Sequence, residues 1–536
     1  MVNPRQESSV SKYVLAIDLG TSGAKVGIVD LDGRVLACAG DDYETCFLPG
    51  GAVEQDPREW WSVITSAARN ALLAAGIAPE LILAVGVTSQ WSVTVPLDAN
   101  GEPLMNAISW MDSRGGVYNK KLVGGFPSLQ GYQAFKLYQW ISKTGNAPTL
   151  SGADALGHML FIKHTLPEIY QKTDTFLEPM DYINFRLTGR RCATQNSAFA
   201  SMMIDNRRLG NVEYDPKLLK MGGIERSKLP ELLPVDGIVG NLIPQAAEQL
   251  GLTTSTVVIS GAGDNSTSVI GAGAVADFEA VAVLGTSGYL AFHLPAKKTD
   301  VMHMITTMPS ALPDRYLFLA DTGNTGRVVD SYLNNLVYGE DCFFPAQDRN
   351  GRYEAMDQIA GQAPPGSQGV LFMPYFMGSL APCEDPTMRG GFLNLSNTTT
   401  RQHLTRALLE GIAYNWRWLR DAAEGLVRRK FPYWRLSGGG ALSPVWCQIM
   451  ADVMGIPMHQ QSDPRNNNVL GIGLLAFNRL GYLLLDEIPE MVKINQVFEP
   501  HTENQAVYDR MYRQFRTCYK RLQPVYQEMN QRTITK

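Results

Sequence analysis

The chain has 536 residues, which is too long for one ordinary hydrophobic core and indicates at least two large domains. Lys and Arg total 47 and Asp and Glu total 52, so the net charge of −5 provides no basic surface for a nucleic-acid partner. Hydrophobic residues at 45% and charged residues at 18% are typical of a globular protein and exclude a largely disordered or fibrous chain.

The N-terminal tail, residues 1–12, is polar and lacks the apolar stretch of a secretory signal, and no later run is long and apolar enough to cross a membrane. We therefore expect a cytoplasmic protein without a membrane partner. The seven cysteines form an odd set without a Cys-x-x-Cys pair, which fits neither a disulfide framework nor a zinc site. They are predicted to be reduced thiols. The seven histidines form no metal-type cluster in the sequence.

An antiparallel meander is predicted at the start of the chain. A glycine-rich turn, Gly20–Gly23, and the turn sequence 30–33 separate three β-like runs, Tyr13–Ile17, Lys25–Val29 and Arg34–Cys38. Nucleotide-binding folds of the Rossmann or P-loop kind pass from the first strand directly into a helix, and no Walker sequence is present. The start of the chain therefore indicates a different nucleotide fold or none.

A capped helix follows the meander. Asp56 is a capping residue and Pro57 occupies the first helical position, so a helix is predicted to run to about Ala75. Next come a strand, Leu81–Val87, and a hairpin formed by Val93–Leu97 and Pro103–Trp110. The stretch from about 115 to 245 mixes helix-like and irregular segments and carries little readable pattern.

A short repeat is the most useful feature of the sequence. The pentapeptide Leu19–Gly23 recurs as Leu284–Gly288, and in both copies one β-like run precedes it and another follows. One strand–turn–strand unit therefore occurs twice, once near the start of each half. This pattern predicts a duplicated fold with a domain boundary between about residues 261 and 280.

The second half carries its own helix and strand signals. Its predicted elements are a helix over Gln402–Trp418, a strand over Tyr433–Leu436, a helix from Pro444 to Gly455, and a C-terminal helix over Tyr508–Leu522 that ends at Pro524.

The repeated turns have a chemical interpretation. Glycine lets a backbone approach closely while amides and hydroxyls donate hydrogen bonds, so two facing copies suit a nucleotide phosphate tail. Taken singly, either turn is better explained as an ordinary hairpin turn. Asp18 ends a strand beside the first turn, where a carboxylate would hold a hydrated magnesium ion. Asp264 follows a buried-looking strand and is either a general base in a cleft or the cap of the next helix.

Eight motifs between about Tyr13 and Phe477 resemble those of the FGGY-type carbohydrate kinases, within the actin, hexokinase and heat-shock ATPase superfamily. They are residues 16–22, 54–57, 110–114, 263–265, 284–288, 389–392, 408–411 and 438–441. The motif at 263–265 and the second turn resemble xylulose kinases in particular. Each motif alone is weak, and the set together is specific.

The resemblance implies an α/β fold with two ribonuclease H-like, or actin-like ATPase, domains and an interdomain catalytic cleft. Residues 13–262 would form the N-terminal sugar-binding domain, 263–500 the nucleotide-binding domain and 501–536 a C-terminal helical extension. The implied reaction is ATP-dependent phosphorylation of a terminal hydroxyl of a ketose or polyol, with xylulose or a related pentulose first among them. ATP and Mg²⁺ are the implied cofactors.

The resemblance also assigns residues to roles. Asp264 would be the catalytic base and Asp18 the magnesium-organising carboxylate. The implied nucleotide contacts are Thr21, Ser22, Gly285, Thr286, Gly439, Gly440 and Ala441. The implied substrate contacts are Gln90, Trp91, Asp112, Asp264 and Asn265.

The sequence departs from known members at two places. Gln90-Trp91-Ser92 stands where glycerol kinases resemble Gln-Arg-Glu and where xylulose kinases carry Gln-Met-His. Residues 158–161 replace the family's Lys-x-x-Trp element. Glycerol is therefore disfavoured and the particular sugar stays open. Trp91 is interpreted equally well as a stacking platform for a sugar or as core packing.

Three alternatives stay open at this point. The chain could phosphorylate another ketose, such as ribulose, or an alditol. It could be an actin-like or chaperone-like ATPase without a sugar substrate, or a catalytically silent sugar sensor, although Asp18 and Asp264 argue against the last. The sequence does not reveal the oligomeric state, and a homodimer is left open.

Overall fold

The computed structural model describes residues 12–340 and 349–530. Cys342, most of the predicted N-terminal tail and the end of the predicted C-terminal extension lie outside the described residues. The six cysteines that the structure describes are free thiols, as predicted. Within the described ranges, none of the helices combines the length and the apolar character needed to span a bilayer.

The first half of the chain builds one large mixed sheet and several short ladders. Its strands are β1 (Tyr13–Leu19), β2 (Gly23–Asp30), β3 (Val35–Asp42), β4 (Cys46–Leu48), β5 (Ala52–Gln55), β6 (Ile82–Ser89), β7 (Val95–Leu97), β8 (Ala107–Ile108), β9 (Ser128–Leu129), β10 (Tyr132–Gln133), β11 (Thr175–Leu177), β12 (Cys192–Thr194), β13 (Glu231–Leu233), β14 (Ile238–Asn241), β15 (Val257–Ile259) and β16 (Ala262–Gly263). Its helices are α1 (Pro57–Ala75), α2 (Gly116–Val123), α3 (Ala134–Thr144), α4 (Ala155–Thr165), α5 (Pro167–Lys172), α6 (Pro179–Thr188), α7 (Pro216–Gly222), α8 (Pro244–Leu250) and α9 (Asp264–Gly271).

The second half builds a second large mixed sheet. Its strands are β17 (Ala280–Leu284), β18 (Gly288–Leu294), β19 (Thr306–Pro309), β20 (Tyr316–Asp321), β21 (Leu371–Met373), β22 (Gly391–Leu393), β23 (Trp434–Ser437), β24 (Met458–Gln461) and β25 (Ile494–Phe498). Its helices are α10 (Gly326–Tyr332), α11 (Arg352–Gly361), α12 (Arg401–Val427), α13 (Pro444–Met454), α14 (Asn467–Arg479), α15 (Ile488–Met491) and α16 (Gln505–Asn530).

The two large sheets share one strand order. The first runs β14, β15, β6, β1, β2, β3, and the second runs β25, β24, β23, β17, β18, β20 with β19 at its edge. In both sheets the strand before the repeated turn pairs in parallel on one side and antiparallel on the other. The two-domain α/β fold and the duplication predicted from the repeat are therefore confirmed. The boundary between residues 262 and 263 stays a prediction, and at that point β16 still pairs with β6 of the first sheet.

Each large sheet is covered on one face by a helix from the other half of the chain. Helix α14 packs on the first sheet where β2 and β6 carry glycine. A Cβ at Gly27 would lie 2.5 Å from Val469 Cγ1, and one at Gly86 would lie 2.8 Å from Ile472 Cγ1. Helix α9 in turn contributes Val269 to an apolar cluster with residues of the second sheet. The two halves are therefore interlocked through these helices.

Helices α9 and α14 contact each other closely in the middle of the molecule. A Cβ at Gly271 would lie 2.0 Å from the backbone oxygen of Asn467, and one at Gly471 would lie 2.0 Å from that of Thr267. Only glycine permits this approach, because any larger residue would have to push the helices apart. The crossing fixes α9, and α9 begins at Asp264.

Three predicted elements need correction. The helix predicted over Gln402–Trp418 is the longer α12. The C-terminal helix does not end at Pro524 but continues to Asn530, because the proline frees only the carbonyl of Lys520, which lies on an exposed part of the helix. Its N-terminal part packs Tyr508 and Phe515 into the core of the second half.

The third correction concerns the hairpin predicted between Val93–Leu97 and Pro103–Trp110. The two segments meet only through isolated bridges, while β7 pairs with β11 and β8 pairs with β5. Pro96 and Pro103 have no N–H to donate to a ladder, which interrupts direct pairing. The consequence is that β11 brings residue 178 beside the segment that follows β6.

Candidate active site

The first repeated turn, called here the first bend, comprises Gly20–Ser22 between β1 and β2. Gly20 N–H donates to the Gly23 carbonyl at 3.0 Å, which closes the bend. Thr21 is held from two sides, because Trp110 Nε1 donates to its Oγ1 at 3.1 Å and Gln55 Nε2 donates to its carbonyl at 2.7 Å. Ser22 is exposed at the tip.

The second bend comprises Gly285–Ser287 between β17 and β18. The first amides of α10 hold it, since Gly326 N–H and Arg327 N–H donate to the carbonyls of Gly285 and Thr286, each at 2.9 Å. Gly288 lies against Thr325, and a Cβ there would come within 2.2 Å of the Thr325 hydroxyl. The second bend is therefore held in place by the start of α10.

The two bends share one cavity between the halves of the molecule, and the second bend also lines a cavity of its own. A cavity of about 320 Å³, called here the central cavity, is lined by Thr21 of the first bend and Ser287 of the second. A cavity of about 430 Å³, the bend cavity, is lined by Gly285 and Thr286 together with the glycine-rich turn after β23. Both copies of the repeat therefore open on the same interdomain cleft.

The glycine-rich turn after β23 forms the far wall of the bend cavity through Gly439 and Gly440. Gly438 has φ 83°, and a Cβ on it would lie 2.8 Å from Leu284, so the turn can approach the second bend only with glycine here. Ala441 is fully buried behind the turn and does not line the cavity.

Two carboxyl groups dominate the electrostatics of the cleft. Asp264 is the first residue of α9 and lines the central cavity. Removal from water, followed by repulsion from Asp18, raises the pKa of Asp264 to about 7. Removal from water also raises the pKa of Asp18 to about 6, opposed by the charge of Lys25 and by a hydrogen bond from Asn468. Asp18 is therefore close enough to influence the protonation of Asp264.

The central cavity takes its other polar groups from both halves. Asn265 follows Asp264, and its N–H donates to the Asp264 carboxyl at 2.8 Å. Gln90 Nε2 donates to Gln55 Oε1 at 2.7 Å, while Gln90 Oε1 is buried without a partner among the described residues. Gln90 itself lines the central cavity.

Trp91 lines the central cavity and is also packed into the protein. Its ring stacks on Phe199 with centroids 5.4 Å apart, and its Nε1 donates to the Ser197 carbonyl at 3.3 Å. Trp91 therefore lies at the cavity, as the stacking interpretation requires, and is also packed in the core, as the alternative interpretation requires. Ser92, the next residue, has φ 63°.

Asp112 is not brought to the wall of either cavity. It is fully buried, and its two oxygens accept hydrogen bonds from the Val53 N–H and from the backbone and guanidinium of Arg114. Arg114 also pairs with Glu54 at 2.7 Å. The structure therefore gives Asp112 a position behind the site, where its hydrogen-bonding capacity is already used.

Several residues of the site carry no signal in the sequence pattern. Asn468, at the start of α14, donates to Asp18 and accepts from Thr267 Oγ1 at 3.4 Å. Tyr353 and Arg465 line the bend cavity, and the Tyr353 hydroxyl donates to Asp330 at 2.5 Å. They approach the cleft only through tertiary packing, so neither motif nor periodicity identifies them.

Two domains of one enzyme family cover most of the chain. Residues 13–271 match the N-terminal domain and residues 280–479 the C-terminal domain of the FGGY family of carbohydrate kinases. A xylulose kinase from Staphylococcus epidermidis is 27% identical over 515 residues, which is 95% of this chain and 97% of that protein. A gluconokinase from Bacillus subtilis is 26% identical over 449 residues, which is 83% of each chain.

A solved structure agrees with these matches. The xylulose kinase from Rhodospirillum rubrum aligns with a TM-score of 0.83 at 26% identity, covering 96% of this chain and 100% of that one. Kinases of this family use ATP. The alternative of an actin-like or chaperone-like ATPase without a sugar substrate is therefore set aside. The chain belongs to the FGGY family and is a carbohydrate kinase.

Proposed function

We propose that the protein transfers the γ-phosphoryl group of ATP to a terminal hydroxyl of a neutral ketose or polyol, with xylulose or a related pentulose as the first candidate. The observation that carries this proposal is the meeting of both bends and Asp264 in one interdomain cleft. The bend cavity would take the nucleotide and the central cavity the acceptor, so the bends would hold the phosphates between them.

Asp264 would act as the catalytic base. Its pKa of about 7 suits a group that must accept a proton from a hydroxyl near neutral pH. Its position at the start of α9, held by the α9 and α14 crossing, provides the fixed geometry that in-line transfer requires. The acceptor oxygen would lose its proton to Asp264 as it forms the bond to phosphorus and ADP leaves.

The carboxyls of the cleft fit a magnesium ion. Asp18 and Asp264 make the electrostatic potential of the cleft more negative, and no Arg pairs with either of them among the described residues. Carboxylate oxygens are ligands that Mg²⁺ prefers. No cluster of three or more His, Cys, Asp or Glu that could hold a metal exists in residues 12–340 and 349–530, which fits an ion completed by water and phosphate oxygens. Asp18 would hold the ion, which would screen phosphate charge when bound.

The charge of the central cavity favours a neutral acceptor. Its described lining includes Asp154, Asp264 and Asp321 and no Lys, Arg or His. An aldonate such as gluconate would bring its own carboxylate into this negative field. A ketose or alditol carries no such charge, and its hydroxyls match Gln90 and Asn265. The charge of the acceptor therefore distinguishes the activity named for the similar xylulose kinase from that named for the similar gluconokinase.

The proposal is tested by incubating the purified chain with MgATP and one acceptor at a time, namely xylulose, ribulose, xylitol, glycerol or gluconate. ADP release and the ³¹P spectrum of the product would be measured. We expect sugar-dependent ADP release with a neutral five-carbon acceptor and little with gluconate. Phosphorylation of gluconate in preference to every neutral acceptor would contradict the neutral-acceptor proposal.

A further inference from the structure

A buried carboxyl group holds the segment that carries Gln90 and Trp91. Because β7 pairs antiparallel with β11, with Val95 opposite Leu177, the residue after β11 lies beside the residues before β7. That residue is Glu178. Its Oε2 accepts the backbone N–H of Val93 at 3.0 Å, and the backbone of Ser92 also donates to this carboxyl group.

The backbone at this point needs such an acceptor. The φ of 63° at Ser92 lies in the left-handed region that residues other than glycine rarely adopt. Successive N–H groups in a turn of this kind point into a shared concavity that an oxygen fills. Glu178 supplies that oxygen, so the turn after Gln90 and Trp91 is stabilised from another part of the chain.

The Glu178 side chain has no other evident use. It precedes α6 as the N-cap residue, yet it makes no capping hydrogen bond. Its second oxygen, Oε1, has no partner among the described residues, and Glu178 lines a small cavity of about 30 Å³ together with Asp181 and Tyr214. Glu178 lines neither the central cavity nor the bend cavity.

A buried carboxyl group of this kind is normally destabilising. Burial raises the pKa of Glu178 well above its usual range, because removal from water disfavours the charged form. A leucine or methionine would fill the same space without this cost. Unlike leucine or methionine, glutamate accepts hydrogen bonds from the backbone N–H groups of Ser92 and Val93.

We propose that Glu178 is a positioning residue for acceptor recognition, which fixes the backbone of Ser92 and Val93 and thereby sets where Gln90 and Trp91 stand in the central cavity. It acts through these residues and does not touch the acceptor. The inference rests on the proposed function of the central cavity. It implies that Glu178 governs acceptor binding more than phosphoryl transfer.

The first test compares Glu178→Met, which matches the side chain in length and lacks a strong acceptor, with Glu178→Gln, whose amide oxygen can accept the same N–H groups. Tyr214→Phe is the matched control, since it removes a hydroxyl group from the lining of the same small cavity and leaves the hydrogen bonds from Ser92 and Val93 to Glu178 in place. We expect Glu178→Met to raise the KM for the best acceptor at least about tenfold, with the KM for ATP changed less than about twofold. Glu178→Gln and Tyr214→Phe should keep acceptor KM within about threefold of the wild-type value.

The second readout is amide hydrogen exchange of the peptide spanning residues 89–97, which requires no acceptor. Exchange should be faster in Glu178→Met and unchanged in Glu178→Gln and Tyr214→Phe. If the wild-type chain phosphorylates no sugar, the proposed function fails, and the exchange result then shows separately whether Glu178 holds the segment.

Two results would overturn the proposal. One is a folded Glu178→Met chain with wild-type acceptor KM and wild-type exchange. The other is a Glu178→Gln chain whose acceptor KM rises tenfold or whose segment 89–97 exchanges faster, since its oxygen should suffice. The second result remains decisive if the methionine variant does not fold.

Discussion

At the scale of single residues, the charge of Asp18 influences the chemistry of Asp264. Each is withdrawn from water in the same cleft, and the charge of Asp18 adds to the effect of burial on Asp264. A base is most useful when its pKa is close to the working pH, because it is then both ionised and able to accept a proton. The pair therefore provides a base near neutrality without a histidine.

Replacing Asp264 by Asn removes the base and keeps the size of the side chain. We expect Asp264→Asn to lower kcat by about 10²- to 10⁴-fold while MgATP still binds. Single-turnover transfer and calorimetric titration with a non-hydrolysable ATP analogue measure the two properties. Full activity of Asp264→Asn would remove this mechanism.

The pH dependence of the reaction follows from the same residue. Because only ionised Asp264 can accept a proton, kcat/KM should rise with pH and level off above about pH 7, where the pKa lies. Below that pH it should fall about tenfold per unit. A pH profile between 5 and 9 with the best acceptor measures this, and a profile that is flat down to pH 5 would contradict it.

Asp112 is expected to affect stability more than substrate binding. Asp112→Asn leaves Arg114 with only Glu54 as its charged partner, at a site where Asp112 is fully buried. Removing one partner of a buried ion pair costs about 3–5 kcal/mol of unfolding free energy. Urea unfolding measures that loss, and the acceptor KM of the folded variant should change little. A tenfold rise in KM at unchanged stability would instead support a direct substrate contact.

At the scale of elements, local signals in the sequence predict helix ends well. Asp56 accepts the N–H of Arg58 at the start of α1, and Ser443 accepts that of Trp446 at the start of α13. Gly455 ends α13 with φ 66°, as its position in the sequence indicates. These signals work because the cap and its partner are only a few residues apart.

Features that depend on distant pairing could not be predicted in this way. Glu178 reaches Val93 only because β7 and β11 pair across about 80 residues, and the stretch from 115 to 245 has no clear periodicity. The motifs identified Asp18, Asp264 and both bends, which lie on local strand–turn units. They could not identify Asn468, whose helix crosses from the other half.

The crossing of α9 and α14 gives a prediction at this scale. Gly471→Ala places a methyl group 2.0 Å from the Thr267 carbonyl, so the helices must separate. We expect a loss of about 1–3 kcal/mol or more in unfolding free energy, together with lower activity because α9 carries Asp264.

Gly425→Ala is the matched control for this prediction. Gly425 lies in α12 with nothing within 4 Å of an added Cβ, so alanine should stabilise the protein by about 0.5–1 kcal/mol. Thermal unfolding compares the two variants. Equal stability of Gly471→Ala and the wild type would show that the crossing is looser than the structure indicates.

At the scale of the whole molecule, the pentapeptide repeat was enough to predict two copies of one fold. The matching strand orders of the two sheets confirm it. What the repeat could not reveal is the exchange of helices, in which α14 covers the first sheet and α9 contacts the second. Helix exchange depends on the shape of facing surfaces, and glycines such as Gly27 look like ordinary strand residues in the sequence.

This exchange predicts that the first half cannot fold alone. A fragment of residues 12–271 lacks α14, which would expose the apolar face that Val14, Ala16 and Ala84 contribute to. We expect it to aggregate or to unfold without a cooperative transition, as measured by circular dichroism and size-exclusion chromatography. Mixing it with residues 272–530 during refolding should restore a compact complex. Cooperative unfolding of the isolated fragment would contradict the prediction.

The same exchange has a consequence for how the chain is made. The last strand of the first sheet leaves the ribosome roughly 200 residues before α14. At typical translation speeds this interval is about 10–40 s. During that time the nascent chain carries an uncovered sheet face, which is a surface that chaperones recognise. We therefore expect that the first half does not fold as an independent domain during synthesis. It must then be kept from aggregating until the second half is nearly complete.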